Sequence, residues 1–388
     1  MAWILGPAMM VFPRLLNRFN FRIMTEAESE QIIDSPSPDA LRCRLELTNQ
    51  RSQGSIVDVF NVGIKGTIHS PAEEQDAIVQ IVIDDVTKDI DSSKPVHAKT
   101  KQWRKENSDV FRYQAKLGRL PNQETILSDW TSIAKIHSDW LLFPRRANLK
   151  LRFGVSILSE ENRQQLACAV CGFAYDNVAF GYIDLDENKQ RTKTLAVALA
   201  FIVSAVDKKL YKCEIELIKS WAKKSFDLAN ASGKARRKLE KALDKTVAFF
   251  QAGNRLDTFQ ICKELVEITP ASRRYDVLEL CLNVARANGV ASPEEVALLK
   301  NIANWLEVDK DLFRSMMQKI LPCTMHKVKD AHSVLGLDDD MSEEKTHRLL
   351  NKEYGKWNAR VTNMDPEIRR QADDMLSIIA KARTRHLN

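Results

Sequence analysis

The spacing of hydrophobic residues divides the chain into two parts. Between residues 41 and 157, apolar and polar positions alternate in several stretches, which is the pattern of strands that bury one face. The clearest stretch is 149–157, and further strands are expected over 164–174 and 178–185. Turn-rich segments separate these stretches. We therefore predict an antiparallel β-sandwich over residues 40–188.

From about residue 190 the hydrophobic period changes from two to 3.6 residues, which indicates amphipathic helices. This spacing continues to Pro322 and predicts an all-α bundle of about seven helices over 190–322. One helix start is well marked, because Ser292 can cap free backbone amides and Glu295, three residues later, can close a capping box.

Two stretches of this helical region, 204–224 and 286–307, align with each other as helix, turn and helix. The repeated motif resembles the TerB-like helical domain, which occurs in tellurite-resistance TerB proteins and in DjlA-type J-proteins. In that family the mark is Ala-Asp-Gly, a short turn, and then a Glu seven residues after the Asp. The pairs that the alignment brings together are Asp207 with Asn288 and Glu214 with Glu295.

The TerB resemblance implies that the two acidic turns face a divalent cation. A hard cation such as calcium prefers several oxygen ligands, ideally charged ones. This chain departs from the motif, since Lys208 replaces the glycine in the first half and Asn288 replaces the aspartate in the second. A cation would therefore bind weakly, and the favoured interpretation is that these side chains only cap turns and helix starts. The candidate metal ligands are Asp207, Glu214, Asn288 and Glu295.

Residues 330–388 resemble a J-domain. A Val-Leu-Gly-Leu sequence followed by an acidic turn matches the family's opening, and helical spacing predicts a helix over 342–358 and another around Met375. We expect a small J-like helical module. The apolar residues expected to hold it together are Leu350, Tyr354, Trp357, Ala372, Met375, Ile378, Ile379 and Ala382.

The position of the J-domain's His-Pro-Asp tripeptide is taken here by Asn358, Ala359 and Arg360. In the family that tripeptide triggers ATP hydrolysis in DnaK-type chaperones. The His and the Pro are missing and Arg360 reverses the charge of the Asp, so we expect the fold to survive without co-chaperone activity. Side chains that could still dock a DnaK-type chaperone are His347, Arg348, Lys352 and Lys356.

Residues 1–39 are expected to be a leader outside the folded domains. The apolar stretch 1–13 is about half of the roughly 20 residues that a spanning helix needs, and Pro7 and Pro13 interrupt it. Its basic residues follow the apolar part, unlike those of a secretory signal. A start at Met24, before an acidic polar stretch, is the favoured interpretation, and a membrane-surface anchor is the alternative.

Net charge and cysteine content add two expectations. A charge of +6 over 388 residues is small for a nucleic-acid-binding protein, although residues 234–245 form a basic stretch. Seven scattered cysteines do not resemble a disulfide framework, which favours separate thiols in a reducing cytoplasm. Cys168 and Cys171 lack the second pair that a zinc site needs, so we expect two packed thiols.

Catalytic motifs are absent from the sequence, which has no phosphate-binding glycine loop, zinc-protease motif, nucleophile elbow or dinucleotide fingerprint. We therefore predict a chain that is not an enzyme and uses no cofactor, apart from a weakly bound divalent cation. The leading hypothesis is a multidomain α+β adaptor that binds other proteins, with neither nucleic acid nor membrane as a partner. The alternatives are a divergent DnaJ-type co-chaperone and a divalent-metal-binding stress protein of the tellurite-resistance type.

Overall fold

The computed structural model forms two compact units, one ending at Glu187 and one beginning at Asn188. The predicted leader, the start at Met24 and most of the stretch expected to open the J-like module lie outside the described residues. The predicted division into three domains stays a prediction. The structure describes residues 40–52, 54–69, 73–227, 232–322, 325–326, 334–335, 337 and 341–386.

The described part of the first unit contains ten strands, and all of their pairings are antiparallel. They are β1 (Arg42–Ser52), β2 (Ser55–Ile68), β3 (Gln75–Asp85), β4 (Lys94–Pro95), β5 (His97–Ala98), β6 (Tyr113–Leu120), β7 (Thr125–His137), β8 (Leu141–Leu142), β9 (Ala147–Ser159) and β10 (Gln165–Asn177). One sheet has the order β1-β2-β7, and a second has the order β10-β9-β3, with β4 and β6 both pairing with β3. Strands β5 and β8 form a separate pair. The predicted antiparallel architecture of this part of the chain is therefore confirmed.

Alternation along the strands decides which side chains are buried. In β9 every second residue from Leu149 to Ile157 is buried, while the residues between them are partly or fully exposed. Side chains of both larger sheets share one hydrophobic cluster, in which the ring of Phe60 on β2 lies 5.5 Å from that of Phe153 on β9. That the two sheets face each other as a sandwich stays a prediction.

Cys43 on β1 and Cys171 on β10 form a disulfide, so the prediction of seven separate thiols is wrong for this pair. The two residues are 128 positions apart and belong to different sheets, so the local sequence pattern does not show that they meet. Cys168 is a free, exposed thiol, so the prediction that Cys168 and Cys171 are two packed thiols is wrong. The cytoplasmic location that was inferred from separate thiols stays an untested prediction.

A helix, α1 (Tyr182–Ala205), begins inside the stretch 178–185, so the strand predicted there is wrong. The Asp184 carboxylate lies in the first turn of α1 and accepts the backbone N–H of Gly181 at 3.0 Å. Arg145, in the loop before β9, donates to the same carboxylate at 3.1 Å. The N–H groups of Tyr182 and Ile183 donate to the carbonyls of Phe143 and Pro144, each at 3.0 Å. Residues that are distant in sequence therefore satisfy the free amides of this helix end and hold the Asp184 carboxylate.

Eight further helices follow in the described residues of the second unit. They are α2 (Lys212–Ser225), α3 (Gly233–Gln251), α4 (Thr258–Ile268), α5 (Ala271–Arg286), α6 (Pro293–Trp305), α7 (Lys310–Ile320), α8 (Glu343–Asn358) and α9 (Pro366–His386). Apolar side chains of α1 to α7 form one buried cluster, with Leu199 and Phe201 of α1 fully enclosed. None of the described helices is long and apolar enough to cross a membrane.

Helices α8 and α9 pack together around a smaller hydrophobic cluster. All the apolar residues predicted to hold this pair together are buried except Tyr354, which is 41% exposed. Tyr354 was expected in the core because it lies four residues after Leu350, but its ring instead faces the guanidinium of Arg383 at 4.5 Å. The assignment of this helical pair to the J-domain fold stays a prediction.

Candidate functional site

The two halves of the sequence duplication form the same turn. The Oδ1 atom of Asp207 accepts the backbone N–H of Lys209 at 2.9 Å, after helix α1. In the second half, Oδ1 of Asn288 accepts the backbone N–H of Val290 at 2.9 Å, after helix α5. Side chains of this type commonly bond to the backbone two residues on and so stabilise a turn. Asp207 and Asn288 therefore have the same structural role at equivalent positions.

The residue that follows each of these turn-forming side chains has a left-handed backbone. Gly289 has φ +83°, and Lys208 has φ +63° at the equivalent position. Glycine adopts this conformation without steric cost, whereas a residue with a Cβ atom is strained by about 1 kcal/mol. The turn is thus retained in the first half although its glycine is missing.

A buried glutamate begins the helix after each turn. Glu214 in α2 is 0% exposed and Glu295 in α6 is 1% exposed. Oε2 of Glu295 accepts the backbone N–H of Ser292 at 2.7 Å, and Oγ of Ser292 accepts the N–H of Glu295 at 3.1 Å, which completes the predicted capping box. Glu214 accepts a backbone hydrogen bond from Tyr211 in the same way.

The two halves meet through Glu214. The Nδ2 atom of Asn288 donates to Oε1 of Glu214 at 2.7 Å. Ser204, near the end of α1, donates its hydroxyl to Oε2 of the same carboxylate at 2.5 Å. Both oxygens of this buried carboxylate therefore accept hydrogen bonds from side chains, as a buried polar group requires.

Burial also changes the proton affinity of these acids. Burial, together with the nearby charges of Glu214 and Asp207 and against the hydrogen bonds from Ser292, raises the pKa of Glu295 to about 7. The pKa of Glu214 is likewise raised by burial, while its hydrogen bond with Ser204 opposes the shift. The site is consequently less negative near neutral pH than its composition indicates.

A cation fits this arrangement poorly. Calcium takes six to eight oxygen ligands, but both oxygens of Glu214 already accept hydrogen bonds and Asn288 presents a donor. Within the part of the chain that the structure describes, no group of three or more His, Cys, Asp or Glu side chains could hold a metal ion. The residues present therefore do not fit the cation that the family resemblance implies.

Residues 193–318 match the sequence model of the family described as tellurite resistance protein TerB. The chain contains a TerB domain. The match confirms the resemblance predicted from the duplicated turns, and it covers helices from within α1 to within α7. It ends before the stretch that was compared with a J-domain.

Two solved structures similar to the chain are both of Bacteroides uniformis beta-glucuronidase 2. One is covalently bound to cyclophellitol-6-carboxylate aziridine, with 8% identity and a TM-score of 0.19. The other is a calcium binding mutant, with 11% identity and a TM-score of 0.17. Each match covers 35% of this chain but only 13% of the glucuronidase, so it supports no conclusion about fold or function. No curated protein matches the chain.

The residues at the position of the His-Pro-Asp tripeptide lie at the carboxyl end of α8, beyond the TerB domain. Asn358 is the last residue of α8 and Ala359 is its C-cap. The guanidinium of Arg360 lies 4.7 Å from the centre of the Trp357 ring, in a cation–π contact. Arg360 therefore lies over the ring of Trp357, which is part of the hydrophobic cluster of the helical pair.

The four predicted docking side chains are not all turned to solvent. His347, Arg348 and Lys352 are exposed on α8. Lys356 instead donates from Nζ to Oε1 of Gln318 at 2.5 Å, on helix α7 of the TerB domain. Burial lowers the pKa of Lys356, which is consistent with its position against the neighbouring helix. The candidate docking surface is thus reduced to three residues.

Glu353, which the sequence pattern does not single out as a buried residue, is 2% exposed. Its Oε2 atom accepts Nε1–H of Trp357 at 3.1 Å and Nε2–H of Gln318 at 3.4 Å. A signal was available, since Glu353 lies three residues after Leu350 and four before Trp357, on the helix face that those residues bury. With Lys356, Glu353 attaches α8 to the end of the TerB domain through one glutamine.

Proposed function

We propose that this chain is a non-enzymatic, stress-related adaptor of the tellurite-resistance type, which acts by binding other proteins. The observation that carries the proposal is the TerB domain over residues 193–318, which indicates a stress-related function of the tellurite-resistance type. Attachment of the α8–α9 pair to that domain through Gln318 supports a composite binding surface. The adaptor role is the further step that needs an experiment.

The stress-related part is tested by deleting the gene in the native cell and measuring growth in tellurite. Complementation with the wild-type chain should restore growth. Leu199→Asp should not, because it places a charge in the centre of the TerB core at a fully buried position. Ile56→Asp, at an exposed position in β2, is the matched control and should complement. Equal complementation by Leu199→Asp, at equal protein level, contradicts the proposal.

The adaptor part is tested by proximity labelling in the same strains, with and without tellurite. Specific partners of the wild-type chain should be lost with Leu199→Asp and retained with Ile56→Asp. Each partner is then expressed and its binding to the purified full chain is measured. A set of labelled proteins that is identical in all three strains, or turnover of a substrate by the purified chain, refutes the adaptor role.

A DnaK-type chaperone is the partner class that the J-like resemblance proposes. The exposed side chains of His347, Arg348 and Lys352 could support docking. The sequence Asn358-Ala359-Arg360, compared with the His-Pro-Asp tripeptide, does not favour ATPase stimulation. The full chain should bind DnaK in a fluorescence assay without raising its ATPase rate. Arg348→Glu with Lys352→Glu should weaken binding, and the exposed Lys381→Glu on α9 serves as the charge control. Stimulated ATP hydrolysis, or binding that the double variant leaves unchanged, contradicts this partner.

A further inference from the structure

The side-chain amide of Asn288 lies where the two halves of the TerB domain meet. Its Nδ2 atom faces Oε1 of Glu214 at 2.7 Å, and its Oδ1 atom faces the backbone N–H of Val290 at 2.9 Å. These two neighbours fix the orientation of the amide, because one is an acceptor and the other a donor. We infer that the Asn288 side chain takes the place of a divalent cation, so that the acidic turns of this TerB domain close without metal.

The carboxylate of Glu214 is fully buried. Such a group must be compensated by a cation, a proton or hydrogen-bond donors. Here the donors are Asn288, Ser204 and the backbone of Tyr211. The second buried acid, Glu295, accepts a hydrogen bond within its own capping box. Both acids therefore have hydrogen-bond donors from within the chain.

The identity of residue 288 decides between these forms of compensation. Aspartate has the same shape as asparagine, but it would place a carboxylate oxygen where Nδ2 of Asn288 now lies, 2.7 Å from Oε1 of Glu214. Two carboxylate oxygens at that distance require a shared proton or a bound cation. At the equivalent position in the first half the residue is an aspartate, Asp207, which accepts the N–H of Lys209. In the second half, one atom of residue 288 therefore decides the outcome. The nitrogen of asparagine closes the turn without metal, and the oxygen of aspartate would create a cation site.

The test is cation dependence of the full chain, measured by thermal unfolding and by isothermal titration calorimetry with CaCl2, MnCl2 and ZnCl2. The wild-type chain should show no heat of cation binding that Asp207→Asn removes. Its Tm with saturating cation should differ by less than about 1 °C from its Tm in EDTA. Asn288→Asp should lower the Tm in EDTA and recover at least about 3 °C with saturating cation. Asp207→Asn is the matched control, because asparagine keeps the turn acceptor, and it should show no cation response.

Two results overturn the inference. The first is cation binding by the wild-type chain that Asp207→Asn abolishes, which places a metal at the turns despite the amide. The second is an Asn288→Asp chain that folds but gains no cation response. If Asn288→Asp does not fold, the wild-type and Asp207→Asn titrations decide alone. Absence of cation binding at the turns of the wild-type chain then supports the inference, and binding that Asp207→Asn abolishes overturns it. The inference concerns closure of the TerB domain and does not rest on the adaptor role.

Discussion

Replacement of Glu295 by glutamine should change how the stability of the TerB domain depends on pH. Glu295 is 1% exposed, and its Oε2 atom accepts the backbone N–H of Ser292. Glutamine retains an oxygen that can accept this bond and has nearly the same volume, but it cannot ionise. Glu295→Gln therefore removes the titration and leaves the capping contact in place.

The magnitude follows from the raised pKa. Burial, together with the charges of Glu214 and Asp207, raises the pKa of Glu295 from 4.5 to about 7. Each pKa unit corresponds to about 1.4 kcal/mol, so the folded state disfavours the ionised form by about 3 kcal/mol. The folded chain keeps the proton to higher pH than the unfolded chain. The stabilising contribution is thus fully present below pH 4.5 and is lost as the pH rises through about 7.

Urea unfolding of the full chain, followed by the circular dichroism of its helices, measures this effect. The free energy of unfolding of Glu295→Gln should rise relative to the wild-type chain by about 3 kcal/mol between about pH 4.5 and pH 8. Glu294→Gln is the matched control, since Glu294 lies in the same first turn but is exposed, and its curve should run parallel to the wild type. A difference between Glu295→Gln and wild type that is constant over this pH range would refute the reasoning.

Three further outcomes are expected. Cys43→Ser should lower the stability of the first unit by about 2–5 kcal/mol in scanning calorimetry, and dithiothreitol should lower the Tm of the wild type but not of this variant. Lys208→Gly should stabilise the TerB domain by up to about 1 kcal/mol in urea unfolding, because it relieves the strain of a left-handed backbone. Gly289→Ala should destabilise the domain, and a change of the unfolding free energy in the same direction for both variants would contradict this reasoning. Gln318→Ala should release the α8–α9 pair and speed limited proteolysis before α8, with the exposed Lys319→Ala unchanged.

The fold could be predicted where one-dimensional periodicity decides burial. Alternation located β9 and the 3.6-residue spacing located the helices, since each pattern directly reports a face that must leave water. The start of α1 could not be predicted in this way, because aromatic and β-branched residues before Asp184 fit a strand equally well. Its helix start depends on Arg145, and the Cys43–Cys171 disulfide likewise depends on distant residues.

In the candidate site, too, the sequence predicts some features, while others depend on contacts that form only in the folded chain. The duplicated motif identified Asn288 and Glu214, and the structure brings these two side chains into contact. What the motif could not supply is the direction of the amide, since oxygen and nitrogen of an asparagine are placed by the surrounding hydrogen bonds. The buried Glu353 was missed for a related reason: its charge indicated solvent, while its two donors, Gln318 and Trp357, come together only in the folded chain.

The turn that holds Asn288 also sets its chemical lifetime. Asn288 precedes Gly289, the pair in which an asparagine amide is lost most readily, because the unhindered glycine nitrogen attacks the side-chain carbon. Ring closure releases ammonia, and hydrolysis of the imide leaves aspartate or isoaspartate. In the folded chain this nitrogen donates its hydrogen to the carbonyl of Arg286 at 2.8 Å, and the amide is held between Val290 and Glu214. Folding therefore protects Asn288 from deamidation, and molecules that remain unfolded for long acquire a negative charge at a position that the native chain keeps neutral.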